Sequence, residues 1–277
     1  MILGRPGRPL VGIDIGASAM RFAVFSGSAG DRTIVRPTPA VPRREDIAGA
    51  FAQLAAMGKS GCRAGLSRAP GLDARGRIAD WPSRPRWRGF DLAAAIRSAG
   101  IAATIADVDD AVATVAGEYL LGGFAPDRRI AAISLGTGLA IGLIIDGIVQ
   151  ATGDGAEGLA HRALGLGDRR CRCGRIGCVQ AAFADPRLDD DGFAAIVALL
   201  RDRLRDAYGV TAFVFAGGRA QRWRGTIARI DGCTLSPAPF WSATLGAAAL
   251  ACAGRDLRSV ALDEALRDRL RRRRAAT

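Results

Sequence analysis

Two apolar stretches, each interrupted at its centre by glycine, most constrain how this chain can fold. The first runs Leu10–Gly16 and resumes at Met20–Ser26; the second runs Ile130–Leu135, breaks at Gly136-Thr137-Gly138 and resumes at Leu139–Ile145. Apolar runs of strand length separated by glycine and small polar residues predict antiparallel strand pairs closed by tight turns. A chain that opens each half on the same unit predicts a duplicated α/β architecture. The remaining patterns fit. Thr33–Thr38 predicts a third strand, Arg43–Met57 a helix with Ile47, Phe51 and Leu54 on one face, Cys62–Leu66 and Ile101–Val108 buried strands, and Asp109–Leu121 a helix. In the second half Gly192–Tyr208 predicts a helix, Ala212–Ala216 a strand ending in Gly217-Gly218, Trp241–Cys252 an alanine-rich helix and Leu257–Arg274 a charged final one. The 277 residues accommodate two domains, 1–121 and 122–277, joined through Gly122–Asp127, with the last helix free to pack back on the first domain. A hydrophobic content of 49% gives both halves enough material for a core.

The formal net charge of +12 raises the question of nucleic acid. Lys59 is the only lysine, and the arginines are scattered along the chain instead of forming a stripe. The dense run Arg269 to Arg274 reads as a solvated helix end, with a nucleic-acid arm as the alternative. No nucleic-acid partner is expected, and a basic surface also attracts anionic nucleotides. No apolar run reaches the length of a membrane span. The opening Met-Ile-Leu-Gly-Arg-Pro-Gly-Arg-Pro is too short and broken for a secretory signal, so the expected compartment is the cytoplasm, with no membrane partner.

Four motifs carry chemistry. Asp14-Ile15-Gly16-Ala17-Ser18 puts a carboxylate at a strand end beside a turn with backbone and hydroxyl donors. That combination suits Mg²⁺ and phosphate, although an ordinary hairpin turn has the same composition. Gly136-Thr137-Gly138 likewise allows close backbone approach to a phosphate, or is simply a turn. Asp107-Val108-Asp109-Asp110 crowds carboxylates where a buried strand meets a helix. Crowding raises a carboxyl's pKa and suits a general base, while one of Asp109 and Asp110 also fits the helix N-cap. The sharpest signal is His161-x9-Cys171-x-Cys173-x4-Cys178, three thiols and the chain's single histidine within 18 residues. It matches a closed, tetrahedral, structural Zn²⁺ site. Cys62, Cys233 and Cys252 are isolated and read as small core residues.

Together these residues resemble the ROK family of repressors, open reading frames and sugar kinases, and within it the glucokinase-like sugar kinases that carry a zinc signature. Asp14–Ser18 is similar to the family's first phosphate motif, Ala69-Pro70-Gly71-Leu72-Asp73 to its sugar loop, and Asp109-Asp110-Ala111 to its Asn-Asp-Ala. Gly136-Thr137-Gly138 is similar to the second phosphate motif, Cys171-x-Cys173-Gly174-x-x-Gly177-Cys178 to the zinc signature, and Gly217-Gly218 with Leu245-Gly246-Ala247-Ala248 to the adenosine side. The resemblance implies an actin-like ATPase (ribonuclease H-like) fold, two α/β domains flanking a cleft, and ATP-dependent phosphorylation of a sugar hydroxyl. It implies Asp110 as catalytic base and Pro70, Gly71, Asp109, Asp110, His161 and Gln180 on the sugar side. Asp14, Gly16, Ser18, Arg21, Gly136, Thr137, Gly138, Gly217 and Gly218 fall on the ATP–Mg²⁺ side, and a homodimer is compatible with the family. Repressors of the family carry a helix-turn-helix ahead of the first strand, where this chain has nine residues.

The chain also departs from the pattern. Where the family has Glu-x-Gly-His this chain reads Gly158-Leu159-Ala160-His161, and Gln180 replaces the glutamate after the last zinc cysteine. Loss of two charged acceptors predicts poor use of plain glucose. It favours a modified, larger or anionic sugar reached by arginines such as Arg68, or alternatively a sugar- or nucleotide-binding regulator with weakened catalysis.

Overall fold

The computed structural model describes residues 1–3, 10–25, 32–57, 64–99, 105–151, 158–163, 165 and 167–272. In chain order the first half comprises strands β1 (Ile2–Leu3), β2 (Leu10–Ile15), β3 (Ala19–Phe25) and β4 (Arg32–Pro37) and helix α1 (Arg44–Met57). These are followed by β5 (Ala64–Arg68), β6 (Gly71–Leu72), β7 (Ile78–Asp80), α2 (Leu92–Ser98), β8 (Ile105–Asp109) and α3 (Asp110–Gly122). The second half comprises β9 (Ile130–Leu135), β10 (Leu139–Ile145), β11 (Ile148–Val149), α4 (Val179–Phe183), α5 (Asp190–Tyr208) and β12 (Ala212–Ala216). It ends with α6 (Arg224–Arg229), β13 (Cys233–Leu235), α7 (Ser242–Ala253), β14 (Ala261–Leu262) and α8 (Glu264–Arg272).

The two five-stranded sheets repeat one topology. The first is ordered β4-β3-β2-β5-β8 and the second β11-β10-β9-β12-β13. In each, the central strand pairs antiparallel with the next strand in sequence and parallel with the strand on its other side. The two glycine-broken hairpins thus occupy equivalent places, as the duplicated pattern predicts. The parallel strands β5 and β8 run one to two residues further than the apolar pattern suggests, because their registers continue until Arg68 stands opposite Asp109. Cys62 and residues 101–104, at the starts of those predicted strands, lie outside the described residues.

Helices α3 and α7 cross between the sheets. Ala111 through Leu121 are all buried, so α3 is surrounded by protein on every side. Small residues bring the two helices to backbone contact: a Cβ on Gly246 would collide with the Ala113 carbonyl, and one on Gly117 with that of Ser242. Helix α7 also lies against β2 and β5 of the first sheet, while α3 lies against β9 and β10 of the second. The crossing joins the two halves into one core, with Phe25, Tyr119, Ile130, Trp241 and Leu245 in a single buried cluster.

One carboxyl is buried at this crossing. Glu118 accepts a hydrogen bond from the Ser242 hydroxyl, and burial raises its pKa from 4.5 to about 7, opposed by Ser236 and Ser242. The native state therefore prefers the protonated form. Its stabilising contribution is full below about pH 4.5 and declines until the pH reaches about 7. Glu118→Gln, neutral at every pH, is expected to gain about 3 kcal/mol on the unaltered protein between pH 4.5 and 7. Urea unfolding at pH 5 and pH 8 measures this.

The final helix begins later than the charged pattern predicts. Leu257 is fully buried, Ala261–Leu262 pair in parallel with β1, and Asp263 caps α8 by accepting from the Leu266 backbone at 3.1 Å. The strand supplied by the chain start captures residues that a helical reading would otherwise include. Leu266 and Leu270 bury against the core, and Arg267 and Arg271 donate to the carbonyls of Leu120 and Leu121 at the end of α3. Arg273 and Arg274 lie outside the described residues.

Candidate active site

The turns that join β2 to β3 and β9 to β10 face each other. Ser18 Oγ lies 2.6 Å from Thr137 Oγ1, so the tips of the two hairpins are hydrogen-bonded across the gap between the sheets. Each turn is closed by its own backbone bond, Gly16 N–H to Ala19 O and Gly136 N–H to Gly138 O, both at 3.0 Å. The Thr38 hydroxyl fixes the first turn from outside by donating to Gly16 O at 2.5 Å. A cleft of about 940 Å³ opens beside them, lined by Gly16, Ser18, Gly136, Thr137 and Gly138, and further along by Gly217 and Gly218.

Asp14 ends β2 in the wall of this cleft. It is 8% exposed and stands opposite Arg21 in the hairpin register. One carboxylate oxygen takes Arg21 Nη1 at 3.2 Å and the other the Ser67 hydroxyl at 2.9 Å. Burial nevertheless raises its pKa, because desolvation outweighs the pull of Arg21 and Ser67. A buried anion of this kind suits a cation brought by a ligand. Arg21 lines the same wall.

At the strand-to-helix junction the two acidic residues divide the alternatives left open by the sequence. Asp109 is the N-cap of α3, accepting from Ala111 N–H at 2.9 Å. Asp110 occupies the first helical turn, and both line the cleft. Burial pushes the Asp110 carboxyl well above the usual carboxylate range, and the charges of Asp109 and Asp14 push it the same way. A carboxylate that holds its proton tightly in a cleft can draw one from a hydroxyl.

Arg68 does not reach the cleft. It is 6% exposed, and donates to Asp107 at 2.6 Å and to the Pro70 carbonyl at 2.7 Å. The expectation that it reaches a substrate anion is therefore corrected: it ties the Pro70–Gly71 loop to β8. Gly71 lines the cleft, whereas Pro70 is buried behind it. The arginines in the wall besides Arg21 are Arg172 and Arg219, and Arg219 donates to Phe183 O at 2.9 Å. Sequence reasoning also missed Trp81 and Ser83 in that wall. Their segment follows no strand or helix period, and only the Trp-Pro pair marks it.

His161, Cys171, Cys173 and Cys178 converge, with their ligand atoms all within 4.8 Å of one another. Cys171 Sγ lies 3.7 Å from His161 Nδ1. Tetrahedral Zn²⁺ with ordinary Zn–S and Zn–N bonds requires about 3.6 Å between such atoms, so the quartet fits that metal. The backbone makes the convergence possible: Gly174, at φ +89°, turns the chain between Cys173 and Cys178, and Cys171 N–H donates to Arg175 O at 2.8 Å. His161 and Cys173 also line the cleft, while Cys171 and Cys178 are buried behind it. Gln180, two residues beyond the last cysteine, accepts from the Leu139 backbone at 3.3 Å and so connects the metal module to the second turn. Gly158, where the family resemblance implies a glutamate, lines the cleft; Glu157, its neighbour, lies outside the described residues.

Comparison with known proteins agrees with this geometry. The model of the ROK family matches residues 10–191. A kanosamine kinase of Amycolatopsis mediterranei (strain S699) is 34% identical over 182 residues, 64% of this chain and 59% of that one, so the match spans less than two thirds of that relative. Among solved structures, a ROK family glucokinase from Streptomyces griseus in complex with glucose and AMPPNP aligns with a TM-score of 0.67 at 20% identity. The alignment covers 87% of this chain and 98% of the other. A ROK family transcriptional regulator, homologous to the E. coli MLC protein, aligns at 0.63 and 14% identity over 97% of this chain and 80% of its own. The family match covers most of the chain, and the two repeated sheets carry the fold of these structures: the chain belongs to the ROK family and has the actin-like ATPase fold.

Proposed function

We propose that this chain is an ATP-dependent sugar kinase that transfers the γ-phosphoryl group to a hydroxyl of a hexose or hexose derivative. The observation that carries this reading is Asp110, a carboxyl of raised pKa in the same cleft as two facing glycine turns. Phosphoryl transfer asks a protein mainly for positioning and charge neutralisation. Gly16, Ser18 and Arg21 on one turn and Gly136, Thr137 and Gly138 on the other would hold the phosphates, with Gly217 and Gly218 beside the adenosine. Asp14 would hold Mg²⁺ through water, and the ion would neutralise phosphate charge. Asp110 takes the proton of the attacking hydroxyl, while Gly71, Asp109, His161 and Gln180 orient the sugar, Pro70 supporting the loop from behind. In this reading residues 1–121 carry the base and sugar loop, and residues 122–277 the metal module and adenosine side. The quartet serves as a structural Zn²⁺ site.

An ATP-coupled assay over glucose, kanosamine, acetamido sugars and sugar acids tests this. The name of the Amycolatopsis relative places kanosamine, an amino sugar, first on the panel. Each charged acceptor lost at Gly158 and Gln180 is worth about 1.5–3 kcal/mol, so glucose is expected to fall at least about 100-fold below the best substrate in kcat/KM. The Gly158→Glu, Gln180→Glu double variant is expected to recover part of that. The same substitutions favour a second reading, a sugar- or nucleotide-binding regulator. Sugar binding by calorimetry without turnover of any panel member would establish it.

A further inference from the structure

Two tryptophans after β7 are held in opposite ways. Trp87 is fully buried, and its indole N–H donates to Pro39 O at 2.9 Å. Trp81 packs edge to face against it, with ring centroids 5.2 Å apart at 76°. Trp81 is 4% exposed, yet its indole nitrogen has no hydrogen-bond partner among the described residues and is not enclosed by protein. The accessible part of this side chain lines the cleft. Tryptophan buried to this degree ordinarily satisfies its N–H within the protein. Here the cleft is the direction in which a partner can stand.

The backbone places this group beside the Pro70–Gly71 loop. Asp80, which precedes Trp81, pairs with Gly71 in the β6–β7 hairpin, so the indole is carried by the strand that borders the Pro70–Gly71 loop. The Arg84 backbone N–H donates to Trp81 O at 2.8 Å, closing the turn from Trp81 to Arg84. The Arg84 guanidinium in turn donates to Thr38 O at 3.3 Å, and Thr38 is the residue that holds the first glycine turn. Trp81 is thus fixed from both neighbouring parts of the site. A site on rigid elements, largely apolar with a few placed polar groups, is what a small ligand requires.

We propose that Trp81 is an acceptor-binding residue. Its indole N–H donates to an oxygen of a pyranose, and its ring edge supplies apolar surface to the sugar's C–H groups, in the cleft where Gly158 and Gln180 no longer offer carboxylates. A pyranose matches this pair of contacts because it presents oxygens and C–H groups side by side. The inference rests on the sugar-kinase reading and assigns part of its acceptor specificity.

Trp81→Phe tests it, since phenylalanine keeps an aromatic ring against Trp87 and removes only the N–H and the larger ring. KM for ATP and for each sugar of the panel is measured separately, together with the tryptophan emission on titration with sugar alone. The expected result is an acceptor KM raised about 3- to 10-fold, the loss of one neutral hydrogen bond, with KM for ATP unchanged within about twofold. The sugar-dependent change in emission should disappear although Trp87, Trp223 and Trp241 remain. Trp81→Ala is expected to raise acceptor KM further; where it fails to fold, Trp81→Phe decides alone. An unchanged acceptor KM with a persisting emission change, or an equal rise in both KM values, overturns the assignment and leaves the kinase reading intact. Failure of the unaltered protein to bind or phosphorylate any sugar of the panel overturns both.

Discussion

Asp110→Asn is expected to lower kcat by about 10²–10⁴-fold, the range over which a positioned general base contributes, while leaving ATP binding within a few-fold of its original value. The amide keeps the shape of the carboxyl and its place in the first turn of α3, but cannot take a proton from the attacking hydroxyl. The environment explains why this carboxylate, and not its neighbour, is suited to the task. Asp109 is engaged by the Ala111 backbone as the helix cap, whereas Asp110 is enclosed beside Asp109 and Asp14 with its pKa raised. The sign of the pH dependence follows. The base works when deprotonated, so kcat/KM for the acceptor rises with pH through a limb that lies above the ordinary carboxylate range. Asp109→Asn removes a negative charge that contributes to the shift, and asparagine caps a helix as well as aspartate. That variant is expected to stay folded and to move the limb to lower pH. A pH–rate profile for both variants checks the pair of claims, and near-full turnover by Asp110→Asn would refute the role.

The hairpins were legible because each is a local pattern. β9, β10 and β12 occupy the residues that their apolar runs predict, and α5 buries Phe193, Val197, Leu200 and Leu204 at helical spacing. The metal quartet was legible for a related reason: its ligands lie within 18 residues, and glycines between them announce the turns. What escaped the sequence is held by partners far away in the chain. The segment from Gly71 to Ser98 has short elements that depend on distant groups, such as Pro39 O for Trp87. Arg68 looked available for a substrate anion until Asp107, 39 residues later, took up its guanidinium. The start of α8 depended on a strand formed by Ile2 and Leu3 at the other end of the chain. The cleft combines both kinds of residue, since its turns and the Asp109-Asp110 pair are local motifs while Trp81 and Ser83 reach it through tertiary packing.

The second large effect concerns the metal module. Purified protein is expected to contain close to one zinc per chain by mass-spectrometric metal analysis. The three cysteines cluster only with Ala181, while the flanking Leu159, Ala160 and Val179 belong to the core of the second half, so the ligands sit at the edge of that core. The stretch from Gly165 to Gly177 holds four glycines at positive φ and little apolar burial of its own, so bound metal is expected to supply much of its ordering free energy. Chelation, or Cys173→Ser, is expected to cost about 5 kcal/mol or more and to lower Tm by roughly 10 °C or more. The damage should extend to function in a defined order. Gln180 lies two residues beyond Cys178 and bonds to Leu139 at the end of the second glycine turn. Loosening the module therefore disturbs that turn, and KM for ATP is expected to rise before the first sheet loses structure. Thermal unfolding and ATP titration of the protein with and without chelator measure the two effects separately. A metal-free preparation with unchanged Tm would show that the four ligands hold the loop by packing alone.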